Sequence, residues 1–317
     1  GEAAAPVEEV RELTVALPAG GTGEAITLAV VAECSTGASD PVVIRLRRGG
    51  AAPVPSVADA AAQLPRPNLY VLAIGVSNYG AADLRLRYAA KDATDLTRAL
   101  GAQRGRLYRA VETRLLTDRK ATRAAILDGL QWLQHQVTER DVAVLFLAGH
   151  GIGDAGSGEY FFLPADADLA RPLASMVGGA SIREALAALA GKVVLLLDTC
   201  HAGGVMPGRV TTRGPAGFAW TRFVNELASA ENGVVVLAAS TARQLSQEAP
   251  VWKNGAFTRA IVEGLGGRAD WGRKGRVTVA GLALYASERV KALTGGTQTP
   301  TTAIPSTTPD FPLAAVR

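Results

Sequence analysis

The apolar positions of the chain fall into two regimes. Over residues 1–50 the runs are short: Leu13 to Leu17, Ala25 to Ala32 and Val42 to Leu46 are rich in Val, Thr, Ile and Ala and are separated by Gly/Ser/Asp clusters, the pattern of antiparallel β structure. Three strands are few for an independent domain, so this segment reads as an immunoglobulin-like fragment or a β appendage. Residues 51–67, AAPVPSVADAAAQLPRP, carry four prolines and read as a linker. From Asn68 the pattern becomes strand, helix, strand, helix. Leu69 to Val76 is a buried strand, followed by a turn at Ser77 to Gly80. Ala89, Ala93, Leu96 and Leu100 mark an amphipathic helix. Tyr108 to Leu116 reads as an edge strand, and Ile126, Leu130, Leu133 and Val137 mark a second helix. Val142 to Ala148 and Val193 to Leu197 are continuous apolar strands, with a small hairpin at residues 159–164 between them. A capping box at Ser181-Ile182-Arg183-Glu184 opens a short helix to Ala190. Val234 to Ala239 is a further strand, residues 255–265 and 278–293 are helices, Thr294 to Pro309 is a loop, and Phe311 to Val316 is a last strand. Alternating β and α units predict an α/β fold, a mainly parallel sheet with helices on both faces. The organisation is a β-rich segment 1–50, a linker 51–67 and one large domain 68–317.

Two of the buried strands stop at chemistry. Val142 to Ala148 runs into Gly149-His150-Gly151, and Val193 to Leu197 runs into Asp198-Thr199-Cys200-His201, followed by Ala202, Gly203 and Gly204. Parallel strands present such residues at the carboxyl edge of the sheet, where open α/β folds place their sites. A cysteine becomes a nucleophile as its thiolate, which a nearby imidazole supplies. Of the three histidines, His135 sits on a helix leading to the opposite edge, and His201 adjoins Cys200 and points away from it. His150 remains, with glycines on both sides that admit close backbone approach. The amides of Gly151 and Cys200 are the natural pair to bind an oxyanion. A lone buried Cys is usually packing and a lone His usually just hydrogen-bonded; the two together, each ending a buried strand, point to catalysis.

Composition narrows the setting. The 317 residues are 48% hydrophobic and 20% charged, enough for a sizeable core. The net charge of +4 comes from 33 Lys and Arg against 29 Asp and Glu, spread along the chain, so neither nucleic acid nor a membrane surface is implied as a partner. No apolar run is long enough to span a bilayer. Cys34 and Cys200 have no ligand-like or paired spacing, and a free thiol suits a reducing, cytoplasmic setting. The chain begins at Gly1 rather than Met, which leaves room for domains upstream.

The motifs G-H-G and D-T-C-H-A-G-G, fifty residues apart, resemble the His and Cys motifs of caspase-like peptidases. The D-x-C-H-[SA]-G form is closer to metacaspases and bacterial orthocaspases than to animal caspases, which carry Q-A-C-x-G. The opening YVLAIGVSNY, the helix start YAAKDA and the segment NGAFTRAI (Asn254 to Ile261) are similar to this family as well. The resemblance spans about residues 68–317 and implies a caspase-hemoglobinase fold and hydrolysis of peptide bonds in a protein or peptide substrate through a thioester, with Cys200 attacking and His150 as acid and base. No third catalytic residue is visible. Asp92 and Asp198 match the aspartates that line the metacaspase pocket for a basic side chain. Ala148 departs from the Ser that often precedes Gly-His there. A catalytically silent interaction module, or a peptidase of the same fold with Asn or Asp preference, is the alternative.

Metacaspases often require calcium. Residues 201–233 contain no Asp, Glu226 and Glu231 look helical, and only Asp166 and Asp168 remain as ligands; such a site takes about six to eight oxygens, so no metal or cofactor is expected. The connection of residues 201–233 is long for an unstructured one. It contains Arg209 and Arg213, with Arg222 just beyond, in a stretch whose glycines and prolines disfavour helix, and a basic loop tethered beside the nucleophile is a candidate for self-cleavage.

Overall fold

The computed structural model describes residues 25–31, 33–34, 37–39, 41–47, 66–154, 158–201, 215–229, 232–240 and 246–316. The chain divides into two compact units, one of residues 1–32 and 40–64, the other of residues 33–39 and 65–317. In the first, β1 (Ala25–Val30) pairs antiparallel with β4 (Val42–Arg47). In the second, β2 (Glu33–Cys34) and β3 (Gly37–Ala38) form a minimal ladder, and the rest is the α/β body. The predicted strand at Leu13 to Leu17 lies outside the described residues.

The body follows the predicted alternation. Strands β5 (Leu69–Gly75), β6 (Val111–Thr117), β7 (Val142–Gly153), β10 (Lys192–His201) and β11 (Val235–Ala238) are parallel, in the order β11-β10-β7-β5-β6. β8 (Tyr160–Phe162) and β9 (Val177–Gly178), with the single turn α3 (Pro172–Ser175) between them in the chain, extend the carboxyl end of β7, β8 pairing antiparallel with β7 and β9 with β8. Alternate residues of β5 divide between two cores. Leu72 and Ile74 face helices α2 (Arg123–Gln136), α4 (Gly179–Ala187) and α5 (Pro215–Leu227), through Ile126, Leu130, Ile182, Phe223 and Leu227. Val71 and Ala73 face α1 (Ala89–Gly101), α6 (Ala256–Glu263) and α7 (Val279–Leu293), through Leu96, Phe257, Ile261 and Leu282. The sheet is thus covered on both faces, which is why its strands read as unbroken apolar runs rather than alternating ones. Each fully buried Leu, Ile or Val contributes about 1.5–3 kcal/mol, and the sheet's carboxyl edge is fixed by this burial.

Four details differ from the sequence expectation. The capping box does not form: α4 starts at Gly179, its N-cap Gly178 has no side-chain cap, and the orphan Ala180 amide is taken by Glu159 Oε1 at 3.1 Å, a partner too distant in sequence for a local rule to find. The region 294–309 is not all loop, because β15 (Thr301–Ala303) closes the β11 edge antiparallel. β16 (Pro312–Ala315) leaves the main sheet and pairs with β14 (Arg276–Thr278). Finally, α5 begins at Pro215, inside the stretch expected to resist helix; proline is tolerated in a helix's first turn, and Trp220 and Phe223 bury against the sheet. Among the described residues no helix is long and apolar enough to cross a membrane.

Candidate active site

β7 and β10 lie side by side in parallel register, with Cys200 opposite His150, Thr199 opposite Gly149 and His201 opposite Gly151. The two strands that carry the sequence motifs therefore bring His150 and Cys200 to adjacent positions at the carboxyl edge. β7 does not stop at the glycines; it continues through Gly153, and Gly151 also pairs with Phe162 of β8. His135 is exposed in the last turn of α2.

His150 is 6% exposed. Its Nε2 lies 2.9 Å from the carbonyl oxygen of Leu84. A carbonyl only accepts, so Nε2 carries the proton and Nδ1 holds a lone pair. Among the described residues Nδ1 has no hydrogen-bond partner. Burial pushes the His150 pKa below its ordinary value, against the Leu84 hydrogen bond and the charge of Asp83. The ring is thus neutral near pH 7, with one nitrogen committed and the other open as a base.

Tyr79 fixes the same residue from the backbone side. Its hydroxyl accepts from the His150 amide at 2.9 Å and donates to the Leu163 carbonyl at 3.5 Å, and its ring centroid is 5.1 Å from the imidazole. Gly149, at φ +152°, is required by this arrangement, since a Cβ there would stand 2.7 Å from the Tyr79 hydroxyl. A Cβ on Gly151 would fall 2.5 Å from the Tyr160 hydroxyl. The glycines around His150 therefore make room for two tyrosines. Leu84 and Tyr79 both sit in the segment between β5 and α1, whose start is held by Asp118 Oδ1 accepting from the amides of Ser77 (2.8 Å) and Asn78 (2.9 Å).

The side chains of Asp92 and Asp198 approach one another beside Gly255. Asp92, in the first turn of α1, is 2% exposed and caps nothing in its own helix. Its Oδ1 accepts from Asn254 Nδ2 at 2.8 Å and its Oδ2 from the Gly255 amide at 3.1 Å. Asp198, 7% exposed, accepts from the Thr258 amide at 3.2 Å and the Thr258 hydroxyl at 2.7 Å through Oδ2. A Cβ on Gly255 would lie 2.8 Å from Asp198 Oδ2 and 3.2 Å from Asp92 Oδ2, so the two oxygens are at most about 6 Å apart and Gly255 leaves the space between them open. Burial, then the charge of Asp198, pushes the Asp92 pKa up to about 8, despite the hydrogen bonds from Asn254 and Gly255. Burial likewise pushes Asp198 up to about 6, against the Thr258 hydrogen bonds and with the charge of Glu248 adding to the rise. Among the described residues no cation pairs with either, and two carboxylates in low dielectric resist ionising together; a cation between them would reverse that.

The sequence profile of the caspase domain matches residues 69–312. The chain belongs to the caspase-domain family of peptidases. A solved structure of a Geobacter sulfurreducens protein shares the fold, with a TM-score of 0.54 and 19% identity over 77% of this chain and 95% of that one. No curated protein sequence matches significantly. In this caspase domain the Leu84 carbonyl, Tyr79 and Asn254 join the residues that sequence singled out. Asn254 opens a stretch already marked by resemblance, and Tyr79 lies in a conspicuous turn after a buried strand. The Leu84 oxygen is a backbone atom and leaves no sequence signal.

The remaining candidates are placed as follows. Asp166 Oδ1 accepts from the Arg123 amide at 2.8 Å, and Asp168 accepts from the Ala170 amide at 3.0 Å and pairs with Arg171 Nε at 2.8 Å. Among the described residues no three His, Cys, Asp or Glu side chains group as metal ligands. Arg209 and Arg213 lie outside the described residues. Arg222 is corrected as a cleavage candidate: it lies within α5, its Nε 3.1 Å from Glu226 Oε1, and a helical peptide bond is not offered to a peptidase in extended form.

Proposed function

We propose that this caspase domain is a cysteine endopeptidase that cleaves after Arg or Lys, with Cys200 as nucleophile and His150 as acid and base. The observation that carries the reading is the state of His150: its Nε2 proton is fixed on Leu84, and its Nδ1 is buried and without a partner among the described residues, one strand from Cys200. Nδ1 takes the thiol proton as the Cys200 sulfur adds to the scissile carbonyl. The amides of Gly151 and Cys200, one register step apart on neighbouring strands, receive the negative oxygen. The imidazolium then gives its proton to the leaving amine, and the C–N bond breaks to leave a thioester. His150 next takes a proton from water, whose oxygen displaces the sulfur; acid product and thiol return.

Asp92 and Asp198 bind the basic side chain on the amino side of the cut. A guanidinium between two carboxylates is held in bidentate fashion, and its charge offsets the burial and like-charge cost that raise their pKa values. An Asp or Asn in this place would leave that cost uncompensated. The reading is tested by fluorogenic peptides that differ only in the residue before the scissile bond. The neutral, buried His150, its Nδ1 open among the described residues, supports this reading over a silent module.

Self-processing follows from the same specificity. Cleavage is expected after Arg209 or Arg213, both within a short tether of Cys200 and so at high effective concentration. Intact-mass analysis of stored protein should show two fragments for wild type and a single chain for Cys200→Ala; two uncut chains, or two cut alike, would remove self-processing from the account.

A further inference from the structure

His150, Cys200 and the two aspartates stand at the carboxyl edge of the sheet, beside the ladder of β12 (Glu248–Ala249) and β13 (Asn254–Gly255) that donates to Asp92. The amino edge is built differently. Arg104, Arg106 and Arg109 lie in the turn between α1 and β6. Arg273, Lys274 and Arg276 lie between α6 and α7, in and just after a second turn. Two hydrogen bonds join these segments. The Tyr108 hydroxyl donates to the Leu313 carbonyl at 3.4 Å, and Gln103 Oε1 accepts from the Ala315 amide at 2.8 Å; Ala315 is the register partner of Arg276 in the β14–β16 ladder. Lys192, the first residue of β10, stands over the Phe311 ring at 5.2 Å, which ties the ladder to the same edge. Charge that is spread evenly along the sequence is thus gathered in space.

The cations are positioned without being neutralised. Arg104 Nη2 donates to the Val111 carbonyl, and Arg109 Nε to Asn68 Oδ1 at 3.1 Å; both acceptors are neutral. Three neighbouring acids are committed to backbone amides: Asp141 to those of Asn68 and Thr138, Asp310 to that of Ala280, and Asp270 to those of Lys274 and Gly275, both at 2.9 Å. Glu112 and Glu139 are exposed. Among the described residues none of the six cations is ion-paired. The two Asp270 bonds also close the turn that presents Trp271. That side chain is 54% exposed yet fixed, its Nε1 donating to the Gly281 carbonyl at 3.2 Å and its ring centroid 6.4 Å from that of Tyr285.

We propose that this edge is a binding face for single-stranded nucleic acid, with the six cations on its phosphates and a base stacked on Trp271. A cluster of cations with no acidic partners is the electrostatic footprint of a polyanion, and five of the six are arginines, whose forked donors match phosphate oxygens. Every base offers a π-face to an indole held still. Trp271 is the one exposed large apolar side chain among the described residues of the two turns, too little to enter a bilayer or to form the core of a protein interface. A strand of phosphates requires neither. Because the face lies at the opposite edge from His150 and Cys200, a bound strand leaves the peptidase site open.

The test is fluorescence anisotropy with labelled oligouridylate and oligothymidylate of about 20 nucleotides, between about 50 and 200 mM KCl. Wild type should bind both with micromolar Kd at the lower salt. Affinity should fall about 50-fold across the range, as about four phosphate contacts require. Two double variants remove cations from either turn: Arg273→Gln/Lys274→Gln, whose side chains are exposed and make no hydrogen bond among the described residues, and Arg104→Gln/Arg109→Gln. Each should weaken binding at least about tenfold and flatten the log–log salt slope by about 1.4. Trp271→Ala should weaken binding about tenfold with the slope unchanged, since stacking carries no charge. Arg171→Gln, whose cation is paired with Asp168, should bind as wild type does. Melting temperature and peptide turnover of every variant should match wild type. No binding by wild type, equal binding by all variants, or a duplex bound more tightly than either single strand overturns the proposal. So does equal affinity for polyaspartate or for vesicles of phosphatidylcholine and phosphatidylglycerol, because the face would then read negative charge alone.

Discussion

Cys200→Ala and His150→Ala are each expected to lower turnover of a basic peptide by at least about 1,000-fold, because the proposed nucleophile and its base act as a unit. The two variants should differ in stability. His150 is buried and donates to Leu84, so removing its ring strands a buried carbonyl oxygen and costs about 1–3 kcal/mol. His150→Gln keeps a donor in place and should lose activity as fully with a smaller fall in melting temperature. Turnover and thermal unfolding measured on the same preparations check both halves. Residual activity above about one per cent of wild type in Cys200→Ala or His150→Gln would contradict the assigned chemistry.

Asp92→Asn should reduce kcat/KM for an Arg peptide by about 100-fold or more, since it removes one arm of the grip on the cation and points an amide donor into the site. The same change should stabilise the free protein in alkaline solution. Asp92 and Asp198 have folded pKa values raised to about 8 and about 6, above the carboxylate's ordinary value, so between pH 4 and 8 the native state binds more protons than the unfolded chain. Stability therefore falls as pH rises through that window. Asparagine at position 92 removes most of this slope: little change is expected at pH 4–5, and a melting temperature higher by about 2–5 °C at pH 8. Melting curves of wild type and Asp92→Asn across this range check the sign. An Asn variant that is less stable than wild type at pH 8 would show that the two carboxylates do not oppose one another. A stabilised Asn variant that has lost its grip on Arg would fit the proposed pocket, costly when empty and tight when filled by a cation.

The parts of the fold that sequence revealed are those fixed by burial on both faces. Val142 to Ala148 and Val193 to Leu197 read as strands because helices cover the sheet above and below, and their polar ends mark His150 and Cys200 as candidates. Asp92 and Asp198 were marked by their match to the aspartates of the metacaspase pocket. What sequence missed depends on partners far apart in the chain. The Leu84 carbonyl that orients His150 is a backbone atom. Glu248 reaches Arg87 and Tyr88 across about 160 residues, and Glu159 takes over the start of α4 from the expected Ser181 box. β15 was lost inside a Thr/Pro-rich stretch because three residues at an edge carry too little pattern. The start of α5 at Pro215 was hidden because its stability comes from Trp220 and Phe223 on the sheet rather than from its own first turn.

The central claim is that a cysteine peptidase with an acidic pocket acts after basic residues, and one measurement bears on it most directly: kcat/KM of purified wild type at pH 8 for peptides alike except before the scissile bond, where Arg, Lys, citrulline, Asn and Asp are compared. Arg and Lys should exceed the other three by at least about 100-fold. Equal rates for Arg and citrulline, a preference for Asn or Asp, or no cleavage of any member would contradict it.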